Sequence, residues 1–325
     1  MNELQGERSD IMKNKEVTFE NIPNLDQTVI QALDFFIANP PPSLDVKQFK
    51  SPFVVGSGNA FNTGAILFSA RDAKLADESN FRSIIASSNK KTQDGSLKDA
   101  VVISASGGKD SVWEIELAKQ HGLKTTLLTT KAQSDAAKIA DEVIVYKSIA
   151  EPYTYNTSTY MGMILSATGE NPARIKEFIE GLKLPENFGT HKSFAFVVPD
   201  KFMQICSMLD IKDNELFGPH SAIRAYSQGH ARHAKFVIRD PEELVMSLGQ
   251  KNDFFGDPNH RWDVDLPNRI DYAGIMAMAY YIVGKIQGSK PPYFKENIAR
   301  YVSGDGPAAY GPTTKPFTVI VPGSE

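Results

Sequence analysis

Cysteine is almost absent from this chain. One residue, Cys206, occurs in 325, which excludes an internal disulfide framework, and its apolar setting FMQICSML suits a buried structural thiol better than a nucleophile. Long apolar runs are missing too: none reaches the roughly 20 residues that span a bilayer. The opening MNELQGERSDIMKNKEV carries many charges and no apolar centre, so it is expected to be a loose tail and not a signal peptide. Nor is there an excess of positive charge. Lys and Arg number 35 against 39 Asp and Glu, a net charge of -4, which argues against broad electrostatic binding of nucleic acid. These absences lead us to expect a cytoplasmic chain with neither a membrane nor a nucleic acid as partner.

What is present is enough apolar residue, 41%, for one large or two medium domains. The most informative stretch is Asp99 to Glu114, DAVVISASGGKDSVWE. Val101, Val102 and Ile103 without polar alternation predict a strand buried on both faces, as in a parallel sheet covered by helices. Ser104, Ser106, Gly107 and Gly108 follow with little side-chain bulk, then a helix opens. Backbone N–H groups and hydroxyls in such a turn can close around an anion at the helix start, which is how a phosphate ester is held.

The same alternation recurs. FENIPNLDQTVIQALDFFIA predicts a leading helix over 19–38, and SPFVVGSGNAFNTGAILFSARDA reads as strand, glycine turn and helix. Gly56 and Gly58 are not a dinucleotide fingerprint, because the third glycine, Gly64, falls too far along. RSIIAS is a candidate strand and NKKTQDGSLK a surface loop. A helix from Lys109 to His121, the strand LKTTLLTT, a short helix 134–140 and the strand EVIVY complete the first unit. EPYTYNTST then leads into an apolar helix over 160–167, either as a plain helix start capped by Asn156, Thr157 or Ser158, or as a loop offering hydroxyls and amides to a sugar. A second unit begins with the strand SFAFVVPD and helical FMQICSMLD; KFVI and ELVMSL read as strands, 272–286 as an apolar helix, and the tail from Lys290 as Pro- and Gly-rich with a strand-like FTVIV end. The fold class expected is α/β, with doubly wound parallel sheets in two pseudo-repeated units. The divisions are 1–48 (tail and leading helix), 49–183 (first unit) and 184–325 (second unit and tail).

At SASGGKDS the chain resembles the sugar isomerase (SIS) domain family of phosphosugar isomerases and phosphosugar-binding regulators. KIADEVIVY after LKTTLLTT is similar to the family's next strand, and AYSQGHARHA resembles a run in the second unit of two-unit members such as the isomerase half of glucosamine-6-phosphate synthase and SIS-type phosphoglucose isomerases. The resemblance implies a flavodoxin-like fold, a sugar phosphate as ligand, no metal or organic cofactor, and a homodimer in which a neighbouring chain can complete the site with a histidine. It supports a phosphate cradle of Ser104, Ser106, Gly107, Lys109 and Ser111; Gly58 and Asn59 in the first glycine turn, and Glu151, Asn156, Thr157 and Ser158 in EPYTYNTST, are further candidates for binding the substrate. It further implies His233 as ring opener, Lys295 as a lysine brought in from the C-terminal segment, and a glutamate base. Phe217 stands where that glutamate would fall, so Glu215, two positions away, is the candidate base. Ala60 and Lys109 stand where many members carry serine and threonine. His230 and His233 have H-x-x-H spacing near His220, with no third metal ligand evident.

The expected activity is aldose–ketose isomerisation of a hexose or amino-hexose phosphate through an enediol. The alternatives are a non-catalytic sugar-phosphate sensor and a related deaminase or deglycase.

Overall fold

A computed structural model describes residues 21–323; the expected N-terminal tail lies outside the described residues. Helix α1 (Leu25–Ala38) leads, started where the Asn24 backbone N–H donates to Gln27 Oε1 at 2.9 Å. The first unit then runs β1 (Phe53–Gly56), α2 (Asn59–Leu67), β2 (Lys74–Ala76), α3 (Phe81–Ser87), α4 (Asn89–Gln93), β3 (Asp99–Ile103), α5 (Asp110–Gln120), β4 (Lys124–Thr129), α6 (Asp135–Ile139) and β5 (Glu142–Val145). Its five strands are parallel in the order β2-β1-β3-β4-β5. Val101, Val102 and Ile103 are buried, as an unalternating apolar strand between two helix layers should be.

A connecting stretch holds β6 (Glu151–Pro152), α7 (Thr157–Thr168) and α8 (Pro172–Glu180). The second unit follows with β7 (Ser193–Val198), α9 (Ile205–Leu216), β8 (Ala222–Ser227), α10 (Gln228–Ala234), β9 (Glu243–Leu248) and β10 (Arg261–Val264). Its parallel order, read as β8-β7-β9-β10, repeats that of the first four strands in the other sheet. Helices α11 (Tyr272–Ser289), α12 (Tyr293–Ser303) and α13 (Asp305–Ala308) close the chain, with β11 (Ile320–Val321) antiparallel to β6. Among the described residues no helix is long and apolar enough to cross a membrane.

Several expected elements differ. RSIIAS is helical, not a strand: Phe81 and Ile85, four apart, are both buried, the spacing of one helix face. The strand at that edge is β2, a few residues earlier. NKKTQDGSLK opens with α4 where a loop was expected. KFVI forms no strand; Lys235 and Phe236 take φ of +71° and +45°, and Val237 and Ile238 are 84% and 80% exposed. The strand is β8, inside SAIRAYS. The tail expected after Lys290 contains α12, whose buried Phe294, Ile298 and Val302 recur every four residues, and in FTVIV only Ile320 and Val321 pair.

One apolar core runs under both sheets through α1, α7 and α11. Helix α11 is buried almost throughout because α1, α7, α8 and α9 pack around it. Its Gly284 lets the start of α1 approach so closely that an added Cβ would lie 1.9 Å from the Asp26 backbone nitrogen. Gln287, one turn on, accepts from the Leu25 N–H at 2.9 Å and donates to the Tyr155 hydroxyl at 3.0 Å. Gly284→Ala should therefore destabilise the protein by about 3 kcal/mol, the cost of severe overpacking. Urea unfolding would read this, and an unchanged midpoint would contradict the close approach.

Candidate functional site

In a sheet ordered β2-β1-β3-β4-β5 the connection leaving β1 runs to one side and that leaving β3 to the other, so a crevice opens between their carboxyl ends. A cleft of about 370 Å³ occupies that place. Both turns that enter it share one conformation: Gly58 has φ +55° and ψ -123° before α2, and Lys109 has φ +55° and ψ -126° before α5. Glycine adopts this freely. For a lysine it costs about 1–3 kcal/mol, a strain kept where surrounding structure demands it.

The serine-rich turn is held from behind. Ser104 Oγ accepts from the Gly107 N–H at 3.1 Å, and Ser111 Oγ donates to the Gly108 carbonyl at 2.7 Å. Gly107 itself does not line the cleft: a Cβ there would lie 2.0 Å from Ser134 Oγ, and its carbonyl accepts from the Ala136 N–H. Its contribution is to let the turn pack on the start of α6. Ser104, Ser106, Lys109 and Ser111 line the cleft together with Gly58 and Asn59. The N-terminus of α5 adds its partial positive charge.

On the opposite wall, Glu151 and Asn156 line the cleft, whereas Thr157 and Ser158 are buried behind it. The Glu151 carboxylate accepts from the Thr157 N–H at 2.8 Å and from the Ser158 hydroxyl at 2.9 Å, so Glu151 caps the first turn of α7 from six residues upstream. Burial pushes the Glu151 carboxyl up to about 7 against these bonds. EPYTYNTST does start the helix, but the side chain that caps it is Glu151 and not Asn156, Thr157 or Ser158; Asn156, with φ +47°, makes no side-chain cap bond and lines the cleft.

Glu215 reaches the same cleft from α9 in the second unit. Its Oε2 lies 2.5 Å from Lys212 Nζ, and that fully buried ammonium also donates to the Thr154 carbonyl at 2.7 Å. Burial raises the Glu215 pKa above its ordinary 4.5, with Lys212 opposing. Phe217, at the family position for the base, is packed in the core; the turn of the helix places Glu215, two residues earlier, at the cleft.

Two further features were not expected. Glu114 on α5 lines the cleft at 1% exposure, and its Oε1 has no hydrogen-bond partner among the described residues. The C-terminal segment crosses the mouth: the Tyr153 N–H donates to the Val319 carbonyl at 2.7 Å, and the Lys109 ammonium sits 3.8 Å from the Tyr310 ring centre and 4.7 Å from that of Phe317. Partial burial there lowers the Lys109 pKa, with Asp110 opposing. Lys212 had a visible signal in its i, i+3 spacing to Glu215. The tail had none, because its apolar and aromatic residues are too few and irregular to show a period.

His233 and Lys295 are not brought to this cleft. His233 is exposed on α10, and Lys295 lines a separate hollow near Asp26 and Lys285. His220 stacks on Tyr293 and lines a neighbouring chamber that Glu215 also lines. Among the described residues no histidine lines the cleft itself, and no group of three or more His, Cys, Asp or Glu could hold a metal ion.

No protein-family model matches the sequence, and no curated protein matches it. Solved structures do share the fold. The C-terminal domain of glucosamine-fructose-6-phosphate aminotransferase from Francisella tularensis aligns with a TM-score of 0.60 at 12% identity, over 84% of this chain and 98% of that one. Tagatose-6-phosphate ketose/aldose isomerase from Escherichia coli aligns at 0.53 and 12%, over 82% and 92%. Glucosamine-6-phosphate deaminase from Thermotoga maritima aligns at 0.52 and 14%, over 81% and 91%. The chain thus has the α/β fold of SIS-type phosphosugar isomerases, as its serine-rich turn led us to expect.

Glu114 supplies a test of this electrostatic arrangement. Burial first, then Asp110, Glu78 and Asp77, push its carboxyl from 4.5 up to about 8. The folded state therefore keeps a proton that the unfolded chain releases, and stability falls as pH rises through that window. Glu114→Gln should match the parent near pH 5 and be more stable than it near pH 9 in urea unfolding. Parallel pH curves for the two proteins would refute the assignment.

Proposed function

We propose that this protein is a phosphosugar isomerase that interconverts the aldose and ketose forms of a hexose or amino-hexose phosphate. The observation that carries the reading is that Glu215, an ion-paired carboxylate from the second unit, lines the same cleft as the serine-rich turn of the first. Isomerisation needs these two things apart but facing one space: an anion anchor and a base. The phosphate is held by the hydroxyls of Ser104 and Ser106 and by backbone N–H groups at the start of α5, with Ser111 bracing the turn through the Gly108 carbonyl. Glu215 then takes the proton from the carbon beside the carbonyl and returns it to the neighbouring carbon, passing through an enediol. Lys212 holds one carboxylate oxygen in place and supports the ionised form. The fold likeness to sugar-phosphate enzymes supports the same substrate class without selecting the reaction.

Glu215→Gln tests the base. Exchange of solvent deuterium into fructose 6-phosphate should fall by at least about 10²-fold, the usual contribution of a positioned base, while fructose 6-phosphate binding persists. In the parent, exchange should rise with pH along an acid limb displaced above 4.5, since the raised group must ionise to act. Undiminished exchange in the variant would remove Glu215 from the mechanism, and binding without exchange in the parent would favour the sensor reading.

Ring opening is assigned to His233 of a second copy of the chain, because His233 is exposed and no histidine of the described residues lines the cleft of its own chain. Glu215→Gln and His233→Ala, each impaired alone for glucose 6-phosphate turnover, should regain activity when unfolded and refolded together. Absence of any gain on mixing would argue against a shared site.

A further inference from the structure

The head of α5 offers its partial positive charge to an anion standing in the cleft. One side chain of the protein competes for that place. Glu114 lies one turn past Asp110, the first residue of α5, and helical side chains lean toward the N-terminus of their own helix. Its carboxyl therefore reaches back over the first turn, toward the groups assigned to the phosphate. It is buried there and lines the cleft together with Ser106, Lys109 and Ser111.

The groups that face Glu114 are mostly acids, and they are answered where it is not. Asp77, just after β2, accepts from the Ser79 and Asn80 N–H groups at 2.9 and 3.2 Å. Asp110 accepts from the Trp113 indole N–H at 3.0 Å, and the Arg82 guanidinium of α3 lies 4.2 Å from the Trp113 ring centre. Glu78, beside Asp77, is exposed, and the Lys109 ammonium rests on the Tyr310 and Phe317 rings. Glu114 forms no ion pair among the described residues, and its Oε1 meets no hydrogen-bond donor there. Burial without a counter-charge favours the neutral acid, and with Asp110, Glu78 and Asp77 it pushes this carboxyl up to about 8. Ionised, Glu114 would occupy the positive end of α5 and repel a second anion. Neutral, it leaves that end free and has an O–H to donate.

We propose that Glu114 belongs to the anion cradle, as a buried carboxyl that admits a phosphate dianion to the turn before α5 only while it carries its proton, so that ligand and proton bind together. This rests on the reading that phosphate occupies the serine-rich turn. Glu114 takes no part in moving the sugar's protons. It sets the charge of the cradle floor and makes the cleft release its ligand on the alkaline side.

Calorimetric titration of the full chain at pH 7 and pH 9 tests this, with fructose 6-phosphate and with inorganic sulfate, a dianion at either pH. Both should bind about tenfold more weakly at pH 9, the factor by which a group titrating near 8 loses its protonated form over that interval. Binding at pH 9 should take up about one proton per ligand, read from the dependence of the heat on the buffer's ionisation enthalpy. Glu114→Gln should bind equally at both pH values and take up no proton. Lys109 is the other titratable group of the cradle, so Lys109→Met should bind more weakly throughout yet keep the tenfold fall. Equal affinity of the parent at both pH values, or a fall that survives in Glu114→Gln, overturns the role of Glu114 alone. Failure of the parent to bind either probe at pH 7 overturns it together with the phosphate reading.

Discussion

A buried lysine must find its partners inside the protein, and Lys212 finds two. One is Glu215 on its own helix; the other is the Thr154 carbonyl in the connection that follows the first sheet. Removing one member of such a pair typically costs about 3–5 kcal/mol, because the other is left charged and unanswered. The pair therefore ties α9 to the loop before α7, at the place where the two units share the cleft. Thr154 takes φ +75° as it offers its carbonyl, so the loop is bent to serve the lysine. The ion pair fixes the carboxylate's position; burial decides how readily it gives up its proton.

Around that joint, polar groups are divided by what they satisfy. The Glu151 carboxylate answers the Thr157 N–H and the Ser158 hydroxyl at the start of α7, and Gly107 makes room for Ser134, so these groups serve the walls of the cleft. Ser104, Ser106 and Ser111 line the space the walls enclose. Lys109 belongs to both groups. It holds a glycine-like backbone conformation at the head of α5, and its ammonium rests on two rings of the C-terminal segment. A cation over aromatic faces gains about 0.5–2 kcal/mol, comparable to the strain it carries. The cradle and the segment across its mouth are thereby coupled through one side chain.

Local patterns made much of this legible. The unalternating VVI of β3, the small residues after it and the helix that follows pointed to a buried parallel strand with a tight serine- and glycine-rich turn. Three- and four-residue spacing likewise marks α1 and α11. Where short segments misled, the cause was length. RSIIAS and KFVI hold too few residues to separate a period of 3.6 from one of two, and only the packing of Phe81 and Ile85, or the exposure of Val237 and Ile238, decides between them.

By itself the sequence determined the α/β architecture and the presence of a tight serine- and glycine-rich turn between β3 and α5, because each depends on interactions between residues a few positions apart. Tertiary structure alone decided which carboxylate meets that turn. Glu215 lies more than a hundred residues from Ser104, and its arrival depends on how α9 packs between the sheets. Long-range packing likewise buries Lys212, leaves Glu114 Oε1 without a hydrogen-bond partner among the described residues and brings Tyr310 over Lys109. Such contacts arise from the fit of distant surfaces in one core, and no spacing along the chain records them.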